Sequence, residues 1–142
     1  MENRPETRFE SRPLQAIAPL ERERLCELTA GGADSHLLRV LREHPPHVRC
    51  FLAWSGDQIV GWSLAIWFAP FDQSPRNAHV SVFVDPHWRR LGLGRVLVDQ
   101  AAAFACAHRL TPWVYAGTAA QADFFRACSH PVSVATTPFR FR

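Results

Sequence analysis

The sequence predicts a mixed α/β fold of the α+β kind, in which helices flank a sheet whose central part is antiparallel. Two observations predict it. Residues 48–54 and 59–68 are apolar and β-prone, and the turn formers at 55–58 join them into a hairpin. An apolar run over 79–84 then leads through a glycine-bearing turn into a helix. The length of 142 residues, with 47% hydrophobic content, fits a single domain over residues 1–142.

The chain before the hairpin is expected to hold one strand and two short helices. For residues 1–8 we expect a loosely attached or disordered start. A strand over 9–17 contains Pro13, which favours either an edge position or a strand that begins at Pro13, because proline cannot donate to a neighbouring strand. A helix opens at Pro19, and a second one covers 36–43. The apolar side of the first helix is assigned to Leu20, Leu25 and Leu28.

The chain after the hairpin alternates loops, strands and helices. Turn formers over 69–78 predict a loop. Gly117 breaks a strand, and Thr118 is a suitable N-cap for the helix that follows. The expected elements are a strand over 79–84, a helix over 96–108, a strand over 112–116, a helix over 119–128 and one or two strands over 131–142.

Charge and hydropathy exclude two classes of partner. The net charge is +3, all 16 basic residues are arginines, and no block of five like charges occurs, so nucleic-acid binding is not indicated. No apolar stretch reaches the roughly 18 residues that span a bilayer, so no membrane partner is expected. The first 12 residues are polar and lack the apolar core of a secretory signal, which predicts a cytoplasmic protein.

Cysteine and histidine spacing indicates no metal site. The chain contains neither a CxxC pair nor an HExxH pattern. Free, mostly buried thiols in a reducing compartment are the expectation for the cysteines. They are Cys26, Cys50, Cys106 and Cys128.

The turn after the strand over 79–84 has the composition of an anion site. A helix start presents unpaired N–H groups, glycines let a phosphate approach the backbone, and arginines add charge. We therefore predict that this turn binds a diphosphate. A dinucleotide fingerprint is a poor match because Leu97 stands where its third glycine is required, and a P-loop needs a lysine, which the chain lacks. The turn reads Arg89-Arg90-Leu91-Gly92-Leu93-Gly94-Arg95.

The spacing Arg89-x-x-Gly92-x-Gly94 resembles the [Gln/Arg]-x-x-Gly-x-[Gly/Ala] signature of the GNAT superfamily of N-acetyltransferases. The order of elements around it is similar to that family over roughly residues 9–135. The resemblance implies a GNAT-like sheet in which the fourth and fifth strands, here 79–84 and 112–116, splay apart. It also implies acetyl-CoA as the cosubstrate, with no metal.

The resemblance further implies which residues hold CoA. Backbone N–H groups from Arg90 to Arg95 would bind the pyrophosphate, with the Arg89 and Arg90 side chains nearby. The backbone over 82–84 would pair with the pantetheine arm in the manner of an added strand. The implied residues are Val82, Phe83, Val84, Arg89, Arg90, Leu91, Gly92, Leu93, Gly94 and Arg95.

The chain departs from the family pattern in its catalytic residues. Where many members carry Asn-x-x-Ala-x-x-x-Tyr after the fifth strand, this sequence has Thr118, Gln121 and Phe125, and a phenylalanine cannot protonate the departing thiolate. Tyr115, the only tyrosine, is an alternative acid or else packs on the sheet. No carboxylate lies near the start of the fourth strand, which leaves His79 or ordered water to accept the proton of the amine.

Two functions follow as hypotheses. The first is an N-acetyltransferase that moves an acetyl group from acetyl-CoA to an amine of a small molecule or peptide by direct attack. The second is a non-catalytic acyl-CoA sensor or interaction module on the same scaffold. The short tail after residue 131 leaves a strand edge that a second copy could pair with, so a homodimer is one expectation.

Overall fold

The computed structural model describes residues 6–30, 35–43, 46–67 and 77–135. Within them, six strands form one sheet in the order β1-β2-β3-β4-β5-β6. The strands are β1 (Thr7–Pro13), β2 (Val48–Ser55), β3 (Gln58–Ile66), β4 (Asn77–Val84), β5 (Thr111–Tyr115) and β6 (Ser133–Ala135). The helices are α1 (Pro19–Ala30), α2 (Ser35–Glu43), α3 (Leu93–Ala107) and α4 (Ala119–Arg126).

The direction of the strands confirms the predicted mixed sheet. β1 to β4 pair antiparallel, whereas β5 runs parallel to β4 and β6 parallel to β5. The hairpin closes through a two-residue loop, Gly56 and Asp57, between the paired Ser55 and Gln58. Gly56 has a φ of +59°, which glycine adopts readily and other residues do not. β1 pairs with β2 along one edge, as Pro13 predicted.

Helices pack against both faces of the sheet. On one face, Leu25 of α1 and Leu41 of α2 belong to one cluster with Trp62 of β3, and all three side chains are fully buried. On the other face, Leu97 of α3 and Phe125 of α4 belong to a second cluster with strand residues. Burying a leucine or phenylalanine side chain stabilises a fold by about 1.5–3 kcal/mol, so these clusters fix the sheet between its helices.

Several element boundaries and one packing assignment were wrong. β1 covers 7–13, not 9–17, and includes two residues of the predicted loose start, whose first five residues lie outside the described residues. β4 begins at Asn77, within the predicted loop, whose residues 69–76 are not described. Leu20 is 79% exposed because its five-residue distance from Leu25 turns it about 140° away from the buried side of α1.

The second half of the chain differs from prediction mainly at helix ends. α3 starts at Leu93, three residues before the predicted start, and α4 ends at Arg126, two residues early. Thr118 caps α4, since its hydroxyl accepts a hydrogen bond from the Gln121 N–H at 3.1 Å. One short strand, β6, follows, and the rest of the predicted tail beyond 135 lies outside the described residues.

The described residues contain no helix with the length and apolar character needed to cross a bilayer. They also contain no group of three or more His, Cys, Asp or Glu side chains arranged to hold a metal ion. The four cysteines are all free thiols.

Candidate active site

An opening between β4 and β5 is the main irregularity of the sheet. β4 and β5 pair through only three positions, from Asn77 with Thr111 to His79 with Trp113. On its other side β4 stays paired with β3 as far as Val84. The five residues from Val80 to Val84 therefore have a strand partner on one side only, which is the predicted splay of the fourth and fifth strands.

The register of β3 and β4 determines which backbone groups face the opening. The Asp85 N–H donates to the Val60 carbonyl at 2.9 Å, so groups at Phe83 also point towards β3 by alternation. The N–H and C=O groups of Val82 and Val84 then point into the opening. Two of the three residues predicted to pair with a pantetheine arm thus direct their backbone groups into the opening. The third, Phe83, directs its backbone groups towards β3, and its ring stacks on the Trp62 ring with centroids 5.5 Å apart.

The N-terminus of α3 lies next to the end of β4 and carries unpaired donors. The first hydrogen bond of α3 runs from the Val96 N–H to the Gly92 carbonyl at 3.2 Å. In the part of the chain that the structure describes, no protein group accepts from the N–H groups of Leu93, Gly94 or Arg95. Three adjacent donors at the positive end of a 15-residue helix favour an anion.

Three arginines next to these donors in the sequence have no carboxylate partner among the described residues. Arg89, Arg90 and Arg95 are all exposed. The Arg89 Nε donates to the Val84 carbonyl at 3.3 Å, which folds this side chain back over the end of β4. Unpaired guanidinium groups beside an anion site raise its affinity for phosphate, because they supply both charge and directed donors.

Backbone geometry explains the two glycines of the turn in different ways. Gly92 caps α3 with a φ of +82° and a ψ of 1°, and a Cβ there would meet nothing within 4 Å. Gly94 sits inside the first turn of α3, and a Cβ there would approach Phe124 Cζ to 3.2 Å. Arg90 also has a positive φ of 64°, which is uncommon for a non-glycine residue and recurs at ligand clamps.

One face of the opening carries the candidate proton-transfer groups. The His79 ring stacks on Trp113 with centroids 4.3 Å apart, and the Ser81 Oγ lies 3.5 Å from His79 Nε2. Tyr115 follows Trp113 by two residues, so its side chain lies on the same face of the sheet as His79. This side chain is 41% exposed, and its hydroxyl lies 3.5 Å from where a Gly117 Cβ would be.

The start of α4 differs chemically from the pattern of the resembled family. Thr118 is occupied as the N-cap, and the Gln121 Oε1 accepts from the Gly117 N–H at 2.7 Å. Phe125 is buried in the cluster between α3 and the sheet. The three side chains at these positions therefore serve the structure of α4, and none offers an acid to the opening.

The structure brings most of the predicted site residues to one end of the sheet. The turn residues 89–95, the groups of Val82 and Val84, and Tyr115 lie where β4 and β5 diverge. His79 lies at the last paired position, three residues before Val82 on the same strand. Two contributors were missed: Phe124, which packs under Gly94, and Arg24, which reaches Asp85 from α1. Both act across long sequence separations, which no local pattern signals.

Arg24 and Asp85 form an ion pair, with the Arg24 Nη2 2.8 Å from the Asp85 Oδ2. The second carboxylate oxygen accepts from the His87 N–H at 2.9 Å and caps the 3-10 turn Pro86–Trp88. Burial raises the pKa of Asp85, but the hydrogen bonds from His87 and Arg24 outweigh it and hold that pKa below its ordinary value. The Asp85 side chain, at the start of the segment that leads into the turn, is therefore held in place by contacts to both of its carboxylate oxygens.

A family model described as the acetyltransferase (GNAT) family matches residues 16–128 of this chain. The matched range begins before α1 and ends just after α4, so it includes the opening and the turn. No curated protein matches the sequence.

Solved structures share the fold at low sequence identity. An aminoglycoside acetyltransferase from an uncultured soil metagenomic sample, in complex with sisomicin, is 18% identical with a TM-score of 0.70, over 96% of this chain and 95% of that chain. AAC(6')-Iy in complex with the bisubstrate analog CoA-S-monomethyl-acetylneamine is 14% identical with a TM-score of 0.66, over 96% and 99%. A ribosomal-protein-alanine N-acetyltransferase from Brucella melitensis is 16% identical with a TM-score of 0.54, over 73% and 70%.

Proposed function

The chain belongs to the acetyltransferase (GNAT) family, and from this premise we propose that it transfers an acetyl group from acetyl-CoA to an amine of a small molecule or peptide. One observation carries the donor assignment. The half-paired backbone of β4 is followed, after residues 85–92, by three unpaired N–H groups at the start of α3. An extended amide arm followed by a diphosphate matches that order of groups, because the first pairs like a strand and the second binds a helix N-terminus.

In the proposed complex, the pantetheine arm of acetyl-CoA extends along β4 and exchanges hydrogen bonds with Val82 and Val84. The pyrophosphate lies on the N–H groups of Leu93, Gly94 and Arg95, and the exposed arginines neutralise its charge. The family resemblance and the bound CoA analog of AAC(6')-Iy support this donor. The thioester then lies further back along β4, towards His79.

The proposed reaction is a direct transfer between amine and thioester. The amine nitrogen attacks the carbonyl carbon, a C–N bond forms, the C–S bond breaks, and CoA leaves as a thiolate. The nitrogen loses one proton and the thiolate gains one, so the proton balance is zero. We assign the first transfer to His79, directly or through water, and the second to Tyr115 or water. Fixed positioning of amine and thioester supplies much of the rate.

The acceptor side of the proposed site is the face that carries His79, Ser81, Trp113 and Tyr115. Solved structures with this fold include one in complex with the aminoglycoside sisomicin and one named for a ribosomal-protein alanine. These names support an amine acceptor, and they cover both small-molecule and polypeptide acceptors. A test panel should therefore contain polyamines, aminoglycosides, free amino acids and peptides with free N-termini.

The proposal is tested by release of free CoA thiol from acetyl-CoA in the presence of each amine. Transfer predicts thiol release that depends on both substrates, together with a product heavier than the amine by one acetyl group. The buried Phe125 favours the alternative of a CoA-binding module without catalysis, which predicts CoA binding and no thiol release with any amine. Absence of CoA binding would contradict both.

We extend the proposal to the setting of the protein. Residues 1–142 act as one acyltransferase domain in the cytoplasm, with an amine as partner and neither nucleic acid nor membrane involved. In the described residues β6 pairs with β5 alone, which supports pairing of its other edge with a second copy as a homodimer. Light scattering at several concentrations measures the mass in solution, and a monomer throughout would reject the dimer.

A further inference from the structure

Arg24 makes three hydrogen bonds, one of which connects α1 to the end of β4. Its Nη2 donates to the Asp85 Oδ2 at 2.8 Å, and its Nε donates to the Ile59 carbonyl at 3.0 Å. Its Nη1 lies 3.3 Å from the Glu27 Oε2 on the same helix. The guanidinium group therefore joins α1, β3 and the residue that follows β4.

Asp85 stands where β4 gives way to the candidate diphosphate-binding turn. Its backbone N–H donates to the Val60 carbonyl at 2.9 Å, which makes it the last residue held by β3. One carboxylate oxygen receives Arg24, and the other caps the turn Pro86–Trp88 through the His87 N–H. The Asp85 side chain thus links the backbone that follows β4 to α1, which packs on the face of the sheet opposite to α3.

The segment beyond Asp85 has one other side-chain anchor before α3, because Trp88 packs against the second hydrophobic cluster. Arg89, Arg90 and Leu91 are exposed, and the next buried side chain is Leu93 at the start of α3. The Arg24–Asp85 pair also differs from an ordinary surface ion pair, which contributes little. The two side chains are only 24% and 15% exposed, and the guanidinium makes a further bond to a backbone carbonyl.

We propose that Arg24 is a positioning residue for the acetyl donor, which holds Asp85 and thereby sets the turn that presents the diphosphate-binding N–H groups. The inference rests on the proposed function, because it concerns the binding of CoA. Arg24 contacts no reacting atom in this account. Loss of the Arg24 side chain lowers the affinity for CoA, whereas acetyl-CoA that does bind reacts at the same rate.

The expected effect is on donor affinity and not on turnover. Displacement of a positioned group by about 1 Å can cost up to ~10²-fold. For Arg24→Met we expect Kd for CoA and KM for acetyl-CoA to rise about tenfold, equivalent to about 1.4 kcal/mol. The kcat at saturating acetyl-CoA should stay within about twofold, and KM for the amine should not change.

Variants of both partners separate positioning from general stability. Asp85→Asn keeps an oxygen that can accept from the His87 N–H but removes the charge that pairs with Arg24. If both residues act through one contact, Arg24→Met, Asp85→Asn and the double variant should raise the Kd for CoA by similar factors instead of multiplying. The matched control is Arg39→Met, which removes an arginine paired with Glu43 on the exposed side of α2 and should leave the Kd unchanged.

Isothermal titration with CoA, well below the melting temperature of each variant, gives the decisive readout. The proposal is supported if the wild-type protein binds CoA and the two single variants bind it about tenfold more weakly. It is overturned if those variants melt earlier but bind CoA with wild-type affinity, or if the double variant shows multiplied effects. Should Arg24→Met not fold, Asp85→Asn alone decides by the same criterion. Failure of the wild type to bind CoA rejects the proposed function, and this inference with it.

Discussion

Substitution of Gly92 by alanine separates the backbone requirement of the turn from its role in binding. Gly92 has a φ of +82°, and no atom lies within 4 Å of the position that a Cβ would take. An alanine there would therefore clash with no neighbour, but it would have to adopt a left-handed backbone conformation. That conformation costs an L-residue about 1–2 kcal/mol. For 142 residues the entropy of unfolding is roughly 0.3 kcal/mol per degree, so the Tm should fall by about 3–7 °C.

Gly56 provides a matched control in the hairpin. It has a φ of +59° and an equally empty Cβ position, but it belongs to the loop between β2 and β3. Gly56→Ala should therefore lower the Tm by a similar amount. Only Gly92→Ala should also weaken CoA binding, because its strained backbone displaces the N–H groups of Leu93, Gly94 and Arg95.

Calorimetry with and without CoA measures both effects on the two variants. A bound ligand raises the Tm of the folded state by mass action, so the CoA-induced rise should persist in Gly56→Ala and shrink in Gly92→Ala. Asn tolerates the left-handed region better than alanine, and Gly92→Asn should recover part of the lost stability. Equal CoA-induced rises in the two alanine variants would refute the assignment of the turn to the diphosphate.

Three further predictions concern single side chains. His79→Gln should lower kcat by about 10²-fold near neutral pH without changing the Kd for CoA, and an unchanged kcat would assign the proton to water. Burial raises the pKa of Asp85, but hydrogen bonds, including one from Arg24, hold that pKa below its ordinary value. The Asp85 carboxylate therefore stabilises the fold fully at pH values above its unfolded pKa of about 3.9. This stabilisation is lost as the pH falls through the lower pKa of the folded protein. Asp85→Asn should thus unfold more easily than wild type at pH 7, and this difference should shrink as the pH falls below about 3.9, whereas a constant difference in unfolding free energy would contradict this. Burial raises the pKa of the Cys50 thiol to about 12, so a thiol reagent should modify the exposed Cys106 rapidly and leave Cys50 unmodified until unfolding. Peptide mass mapping locates the modified cysteines, and rapid modification of Cys50 itself would refute that burial.

Local signals in the sequence predicted the central elements of the fold well. The hairpin loop was located because Gly56 and Asp57 interrupt two β-prone runs, and Thr118 was identified as an N-cap from residue type alone. The start of α3 was predicted three residues late, since Leu93 and Gly94 read as part of a turn. In the structure Leu93 packs into the core and Phe124 packs under Gly94, and neither long-range contact is visible in the local sequence.

The acetyl-CoA side of the candidate site could be predicted from the sequence more fully than the residues that hold it in place. The donor turn is one continuous segment, so its glycines and arginines appear together in the chain. The ion pair from Arg24 to Asp85 spans 61 positions, and a charged residue on the wet side of a helix gives no sign of its partner. The acceptor side likewise combines β4 and β5, and the stacking of His79 on Trp113 depends on the parallel register of strands that are far apart in sequence.

A structure of the protein with bound CoA tests the central claim most directly. We predict the pantetheine arm between β4 and β5, in hydrogen bonds with the backbone of Val82 and Val84. The pyrophosphate should lie within hydrogen-bond distance of the N–H groups of Leu93, Gly94 and Arg95. A CoA molecule bound elsewhere on the protein, with the opening between β4 and β5 empty, would contradict the account.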